Sequence, residues 1–398
     1  MPYTAKDWTD GSGGGSPITA AELERIENAI AKIWDRTGGV VNFDDSSFTG
    51  TDDQKHVAGW NYARSATRKP IMQYPDRTFG PLTTPIATFS GMRAIGPIGL
   101  DGVKNLELGT GGISGVPYGG NLVNHAVRVQ TGTGTSSLFV QSADNNDVGF
   151  ANIAWSGATT SQWWHNTNGS ALSVYPAHFH SLSFDGFLSV LGNDSQKFTT
   201  TQGYFSGHWT VLNYTGTPLH IGGADTFFNW YLNSNSPDLP TAGGGKPILW
   251  FDYMEKTVVM YCFITAEDDW TGIRVSGPVD RAIRFFGGTY EGRAAGNPAT
   301  RPVLDVQGGH VIVYGGDFGY VTTANGVITQ SGGVLELHSP HYRKATGAAS
   351  TFPFLYQTGG VHRVELPLAA NGDPVYVRKT DTTTKTFAYP TANSYVDW

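Results

Sequence analysis

The densest acidic cluster in the sequence is Glu267, Asp268 and Asp269, directly before Trp270. Glycosidases place two carboxyl groups about 5 to 9.5 Å apart on either side of the bond that they cleave. The three acids are therefore candidate catalytic residues for the cleavage of a polysaccharide. The alternative is that they are solvated turn residues. Calcium binding is a third option, although oxygen ligands so close together in sequence support it only weakly.

Other acidic residues are more scattered. Asp252 lies near Glu255, and Glu291 follows a predicted corner. On stacked coils, acids that are distant in sequence can meet, within one chain or between protomers. The sequence has no nucleophile elbow, no His-Glu-x-x-His motif and no phosphate-binding loop. We therefore expect no cofactor and no metal, and a catalytic activity, if there is one, would be that of a polysaccharide glycosidase or lyase.

Two stretches, residues 155–180 and 225–252, mix aromatic side chains with Asn and Ser. Sugars stack their apolar faces on aromatic rings and hydrogen-bond to amides through their hydroxyls. Both stretches are interpreted as long insertions between coils, because loops on a rigid scaffold often carry function. The candidate carbohydrate-binding residues are Trp163, Trp164, Tyr175, Trp230, Tyr231 and Trp270. The alternative is that these rings are buried in the core or between protomers.

The composition favours β-structure with many turns. Of 398 residues 52 are Gly, aromatics make up 13% and charged residues only 15%, well below the roughly 25% that is usual. The formal net charge of −7 makes nucleic acid an unsuitable partner, since phosphate binding needs a basic surface. Cys262 is the only cysteine, which excludes an internal disulfide and a Cys-based zinc site within one chain, and we expect it to be buried.

No membrane insertion is expected, because the sequence has no uninterrupted run of about 18 apolar residues. The first residues, Met1 to Trp8, have neither the basic start nor the apolar run of a secretory signal. We therefore expect a chain that acts outside a cell to leave it by another route, such as lysis.

A short helix is predicted near the N-terminus, because Thr19 and Glu22 form a capping box and Gly38-Gly39 ends the helical pattern. Its apolar positions follow a heptad spacing with isoleucine at both core positions, which favours three or four strands over two. The predicted trimerisation residues are Leu23, Ile26, Ile30 and Ile33. The alternative is an amphipathic helix that packs on its own domain.

Internal repeats predict the main architecture. The segments 282–290, 310–318 and 334–342 align without gaps, and each has an alternating strand, a tight corner and then an aromatic residue. Periods of 24 to 28 residues are typical of a parallel β-helix. Weaker copies start at His180 and Thr200, and Val103–Leu108 is the predicted first coil. A β-sandwich is the rival architecture, but it would have hairpin turns every eight to twelve residues.

The N-terminal residues carry a resemblance to a known family. Trp8-x-Asp10-Gly11, Pro17-Ile18-Thr19-Ala20 and Leu23-x-x-Ile26-Glu27-x-Ala29-Ile30 resemble the opening of many minor tail proteins of bacteriophages, especially those of Gram-positive and actinobacterial hosts. In that family the segment attaches the protein to the tail or baseplate and begins a trimer.

The next block resembles the opening module of pectate-lyase-like tailspikes. The matching residues are Phe43-Asp44-Asp45, Asp52-Asp53-Gln54, Pro70 and Pro75-Asp76-Arg77-Thr78-Phe79, the last of which lacks the usual glycine. Asp52 and Asp53 are expected to act as helix caps. The predicted fold is all-β, a right-handed parallel β-helix behind a short α-helix, as a homotrimer.

The predicted organisation has four parts. Residues 1–39 are the attachment segment, 40–90 the module that opens and caps the β-helix, 91–360 the β-helix with its aromatic insertions, and 361–398 a C-terminal β cap. The resemblance implies a phage tail protein, located in the virion, that binds the host cell-surface polysaccharide and other tail or baseplate proteins. A depolymerase of the same fold and a purely structural tail component are the two alternatives.

Overall fold

A computed structural model describes the chain at residues 20–37, 39–74, 84, 86, 93–95, 104–108, 113–114, 121–131, 139–141, 145–156, 160, 162–166, 172–234, 244–266, 270–292, 301–319, 321, 326–343, 353–365, 368–369, 375–379, 384–387 and 395–396. The described chain is a parallel β-solenoid with two helices, which confirms the predicted β-helix architecture.

Both helices begin and end where local chemistry favours it. Helix α1 (Ala20–Thr37) starts after the predicted capping position and stops before the Gly pair. Helix α2 (Asp52–Ser65) is capped by Thr51, whose hydroxyl accepts from the Gln54 amide at 3.3 Å while the Gln54 side chain accepts from the Thr51 amide at 2.9 Å. Asp52 and Asp53 are therefore not the caps. They lie in the first turn, where the helix dipole favours negative charge.

The coils of the solenoid contribute strands to three parallel ladders. The first ladder contains β1 (Val40–Asn42), β2 (Ile71–Gln73), β3 (Arg93–Ile95), β6 (Asn121–Thr131), β8 (Asn145–Ser156), β10 (Ser173–Asp185), β13 (Tyr204–Leu212), β15 (Phe227–Asn233), β17 (Thr257–Ala266), β19 (Ala282–Phe286), β22 (His310–Tyr314), β25 (Val334–His338) and β28 (Val361–Glu365).

The longer strands turn a corner and continue into the second ladder. It also contains β4 (Lys104–Leu108), β20 (Thr289–Gly292), β23 (Asp317–Gly319), β26 (His341–Arg343) and β29 (Leu368–Ala369).

The third ladder contains β5 (Ile113–Ser114), β7 (Phe139–Gln141), β9 (Gln162–Asn166), β11 (Ser189–Leu191), β14 (Leu219–Ala224), β16 (Pro247–Glu255), β18 (Thr271–Ser276), β21 (Leu304–Val306), β24 (Ile328–Gln330), β27 (Leu355–Gln357) and β30 (Val375–Lys379). Strand β12 (Phe198–Thr201) pairs with β10 and β14. Two last strands, β31 (Thr384–Phe387) and β32 (Tyr395–Val396), pair antiparallel with β30 and β28.

The register confirms the aligned repeats. Ala282 lies opposite His310, which lies opposite Val334, and Tyr290, Phe318 and Tyr342 occupy equivalent positions in β20, β23 and β26. The extent of the ladders differs from the sequence prediction. Parallel pairing starts at β1, before the predicted first coil at Val103–Leu108, and continues to β30, past residue 360.

Alternation places apolar side chains inside, where neighbouring coils stack them. Phe150, Phe179, Phe205 and Phe228 occupy equivalent inward positions in β8, β10, β13 and β15, and each is at most 1% exposed. Cys262 is buried as predicted, and burial raises the pKa of its thiol to about 12. Neither described helix has the length and apolar character that crossing a bilayer requires.

Candidate functional site

Residues at equivalent positions in successive coils form columns on the outer surface, because the coils pair in register. On the first ladder one column contains His178, Tyr204 and Phe227, and the column beside it contains His180, Ser206 and Asn229. His178 and His180 share the outer face of β10, because they are two residues apart on a strand, and both are exposed.

A groove opens where these columns meet smaller residues on β8. Gly149 lies opposite His178, and Ala151 lies opposite His180. The small side chains on β8 leave an open groove of about 340 Å³, lined by Gly149, Phe150, Ala151, His178, Phe179, His180, Tyr204 and Ser206. Two imidazoles, a phenol and a hydroxyl therefore border the groove, and none of its eight described lining residues is acidic.

Aromatic rings stack outside the solenoid next to this groove. Tyr204 stacks on Phe227 with ring centroids 5.5 Å apart and planes 8° apart. Around the corner, Tyr231 packs against the edge of His208 at 4.9 Å and stacks on Phe263 at 4.6 Å. Tyr204 is 41% exposed and Tyr231 is 45% exposed. Rings in this arrangement offer apolar surface beside polar groups, which suits a sugar.

A hydrogen-bonded chain of side chains lies at the corner between these columns. The Nδ1 atom of His180 is 2.9 Å from Oγ of Ser206, and its Nε2 atom is 3.2 Å from Oγ of Ser181. The Ser181 hydroxyl also accepts from the backbone N–H of His208 at 3.2 Å. Gly207 at this corner has a φ of +78°, and a Cβ there would lie 2.1 Å from the Ser181 hydroxyl oxygen.

Two carboxylates share an arginine on the second ladder. Arg343 contacts Asp317 at 2.5 Å and Glu291 at 3.9 Å, reaching across Gly319, which has no side chain to block it. Burial raises the pKa of Glu291; the charge of Arg343 opposes this increase and that of Asp317 adds to it. Glu291 therefore keeps its proton to a higher pH than an ordinary glutamate, whereas the carboxylate of Asp317 is paired with Arg343.

A second carboxylate network lies on the outer side of the third ladder. Asp252 accepts from the Ser276 hydroxyl at 2.7 Å and lies 3.4 Å from the Lys197 ammonium and 3.6 Å from Nε2 of His220. Burial opposes ionisation of Asp252, but the nearby His220 ring, the hydrogen bond from Ser276 and the Lys197 charge outweigh it, so the pKa of Asp252 is lowered. These contacts join side chains of neighbouring coils. Within the described ranges no three His, Cys, Asp or Glu side chains converge as metal ligands.

The structure places the predicted carbohydrate-binding residues in two groups. Tyr175 and Tyr231 are each 45% exposed. The four tryptophans are core residues, at most 2% exposed, and they are Trp163, Trp164, Trp230 and Trp270. These four tryptophans therefore follow the alternative interpretation, burial in the core. They contact other buried rings such as Phe184, Phe198, Trp209 and Tyr214.

The aromatic stretches differ from the predicted insertions. Most of their described residues belong to strands β8, β9, β10, β15 and β16 of regular coils, because aromatic side chains fill the inside of these coils and also stack outside. The candidate catalytic residues Glu267, Asp268 and Asp269 lie outside the described residues. The sequence alone shows Glu291 only as an acid after a predicted corner. Its partners Asp317 and Arg343 are far away in sequence, and only the register of the coils brings them together.

Comparisons with known proteins yield one structural match and no match to a family model or a curated protein. No family model matches the chain, and no curated protein matches it. Among solved structures the chain matches "Geobacillus virus E2 - ORF18" with a TM-score of 0.34 and 12% sequence identity, over 90% of this chain. This chain covers 64% of that viral protein, slightly less than two thirds of its length.

Proposed function

We propose that the chain is a bacteriophage tail protein that forms a rod in the virion and attaches to a host cell-surface glycan. The observation that carries the proposal is the outer face with Tyr204, Tyr231 and the adjoining groove, where exposed rings lie beside His178, Ser206 and Asn229. Rings and polar groups arranged in this way are what recognition of a hydroxyl-rich polymer needs.

The N-terminal residues support the tail assignment through their resemblance to minor tail proteins. The helix they form supports self-association. Ile26 and Ile30 are each 47% exposed in the single chain, and they lie four residues apart on the predicted heptad seam. Leu23 is half-buried. In our proposal three copies cover this stripe and three right-handed solenoids extend from it, while the N-terminal segment binds other tail or baseplate proteins.

The test uses the full-length chain and cell-wall polysaccharides purified from a panel of actinobacterial and other Gram-positive strains. Retention of the protein on at least one polysaccharide, measured by sedimentation with the insoluble glycan, is the expected result. If no polysaccharide retains it, glycan attachment is wrong and a purely structural tail role is favoured.

A depolymerase is the second candidate, and one observation favours it. Glu291 and Asp317 lie on the same outer face, with the pKa of Glu291 raised, as a general acid would need. Strand β20 pairs with β17 beside Phe263, the ring that stacks on Tyr231. A glycan that extended along the columns past Tyr231 would thus approach the two acids.

Product release separates the two candidates. A depolymerase would release reducing or unsaturated ends from a polysaccharide that it binds, and Glu291→Gln and Asp317→Asn would abolish that release while binding persists. Binding without any new chain ends would exclude the depolymerase and leave attachment as the function.

A further inference from the structure

We propose that Ser206 and His180 form a nucleophile–base pair that hydrolyses acyl esters in the groove beside Gly149. The nature of the substrate, an ester such as an O-acetyl group on a glycan, rests on the proposed glycan-binding function. The chemistry rests on the geometry of the groove alone.

The first requirement of such a pair is contact between nucleophile and base. Oγ of Ser206 and Nδ1 of His180 are 2.9 Å apart, and both side chains line the groove. Their register is fixed by the backbone, because His180 on β10 lies opposite Ser206 on β13. The hydrogen bond therefore joins neighbouring coils of the rigid scaffold and not a mobile loop.

The second requirement is a group that orients the base. The Ser181 hydroxyl lies 3.2 Å from Nε2 of His180 and accepts from the His208 backbone N–H. When His180 donates Nε2–H to this hydroxyl, the Nδ1 lone pair faces Ser206, as a base requires. Gly207 makes room for the arrangement, since a Cβ there would lie 2.1 Å from Oγ of Ser181 and 2.8 Å from the His180 ring.

The third requirement is space and hydrogen-bond donors at the reacting carbonyl. Gly149 and Ala151 leave the groove open beside the pair. Tyr204 and His178 border the same groove, and a phenol O–H and an imidazole N–H are donors suited to a developing oxyanion.

The reaction has two balanced steps. Oγ of Ser206 attacks the acyl carbonyl carbon while Nδ1 of His180 takes the hydroxyl proton, and the C–O bond to the alcohol breaks as that proton passes to the leaving oxygen. Water then attacks the acyl-serine, giving up a proton through His180 to Oγ as the acyl C–Oγ bond breaks. The net change is ester plus water to acid plus alcohol, which needs no oxidant, metal or cofactor.

The full-length protein is tested with p-nitrophenyl acetate and with a biotinylated fluorophosphonate, followed by peptide mapping. We expect turnover above the buffer rate, the fluorophosphonate on Ser206, and a loss of about 100-fold or more in Ser206→Ala and His180→Ala. The matched control is Ser331→Ala, because Ser331 is exposed on a turn outside the groove; it should keep the wild-type rate and labelling.

Wild-type turnover in Ser206→Ala would overturn the inference, and so would labelling by the fluorophosphonate that leaves Ser206 unmodified. Circular dichroism of each variant confirms that lost activity is not lost fold. Glycan retention is measured separately on the same proteins. Retention without hydrolysis rejects the ester chemistry and leaves the attachment function standing, whereas hydrolysis without retention rejects attachment and leaves the nucleophile–base pair standing.

Discussion

Tyr231 and Phe263 stack nearly parallel on neighbouring coils, with ring centroids 4.6 Å apart and planes 6° apart. Because the other side of Tyr231 meets the edge of His208 at 4.9 Å, the ring is held in one orientation while 45% of the residue stays exposed. A ring fixed before a ligand arrives loses little conformational entropy on binding. The stacks outside the solenoid therefore stabilise the coils and also preorganise a surface.

Removing the exposed rings beside the groove should weaken glycan binding. Each of Tyr204→Ala and Tyr231→Ala removes one stacking ring, worth about 0.5–1.5 kcal/mol by analogy with aromatic pairs, so the dissociation constant should rise about 2- to 13-fold per variant. Isothermal titration calorimetry with the polysaccharide that retains the protein measures the change.

Tyr314→Ala is the matched control for these variants. Tyr314 is 41% exposed and stacks on Phe286 at 5.0 Å, so its removal also breaks an outer stack. It lies four coils from Tyr204 along the first ladder, or about 19 Å at the strand spacing. Equal weakening by all three substitutions would mean that the effect arises from stability, and the proposed binding face would be wrong.

The exposed isoleucines of α1 should control assembly and leave the solenoid unchanged. Ile26→Asp together with Ile30→Asp would place two charges on a shared apolar seam, where burying unpaired charge is strongly unfavourable. We expect sedimentation equilibrium to give a trimer for the wild type and a monomer for the double variant, with unchanged circular dichroism. Glu24→Asp, on the same helix but outside the seam, is the control. A monomeric wild type would contradict the heptad argument directly.

Gly223 is required because a side chain there would clash with the backbone of the neighbouring coil, whereas at Gly244 only the backbone conformation favours glycine. The φ of Gly223 is +128°, and a Cβ would lie 1.7 Å from the backbone carbonyl oxygen of Thr200 on the neighbouring coil, which no side-chain rotation can relieve. Gly244 also has a positive φ, of +61°, but nothing lies within 4 Å of its Cβ position. Gly244→Ala should cost about 1 kcal/mol and Gly223→Ala more than about 3 kcal/mol of unfolding free energy. Urea unfolding followed by tryptophan fluorescence measures the unfolding free energies of the two variants. Equal losses would show that the backbone at Thr200 moves away to make room for the new Cβ.

The solenoid could be predicted where each coil repeats the same local pattern. Ala282–Phe286 and its two successors combine an alternating strand with a tight corner, so their spacing alone gives the register. The earlier coils could not be predicted in this way. In β15, Trp230 points inward and Tyr231 outward across a corner, so a run of aromatics that looks like a surface insertion contains both core and surface rings.

The candidate site was less predictable than the fold for a related reason. Ser206 and His180 are 26 residues apart, and Arg343 reaches Glu291 across an intervening coil. Such contacts depend on the number of residues in every corner between them, and no short motif encodes that number. A local feature differs in this respect: the i, i+2 spacing of His178 and His180 is enough to place both on one face of β10.

The opening module should lose stability as the pH falls, because His56 is buried without its charge. Burial lowers the pKa of His56 to about 3, although the nearby carboxylate of Asp53 partly offsets this. The Nε2 atom of His56 accepts from Trp60 at 3.1 Å and lies 3.1 Å from the Tyr74 hydroxyl. These bonds favour the neutral ring, since a protonated imidazole cannot accept a hydrogen bond.

The sign of the effect follows from which state takes up the proton. Below a pH of about 6.5 the unfolded chain protonates His56 while the folded chain does not, down to about pH 3. The contribution of neutral, buried His56 to the unfolding free energy should therefore be complete above pH 6.5. Below that pH the unfolding free energy should fall by roughly 1.4 kcal/mol for each pH unit. His56→Gln keeps an acceptor for Trp60 but has no titrating group, so its urea-unfolding free energy should depend less on pH between 7 and 4.5. Because other groups titrate equally in both proteins, the difference between the two profiles isolates His56, and parallel profiles would mean that water reaches the ring in the folded state.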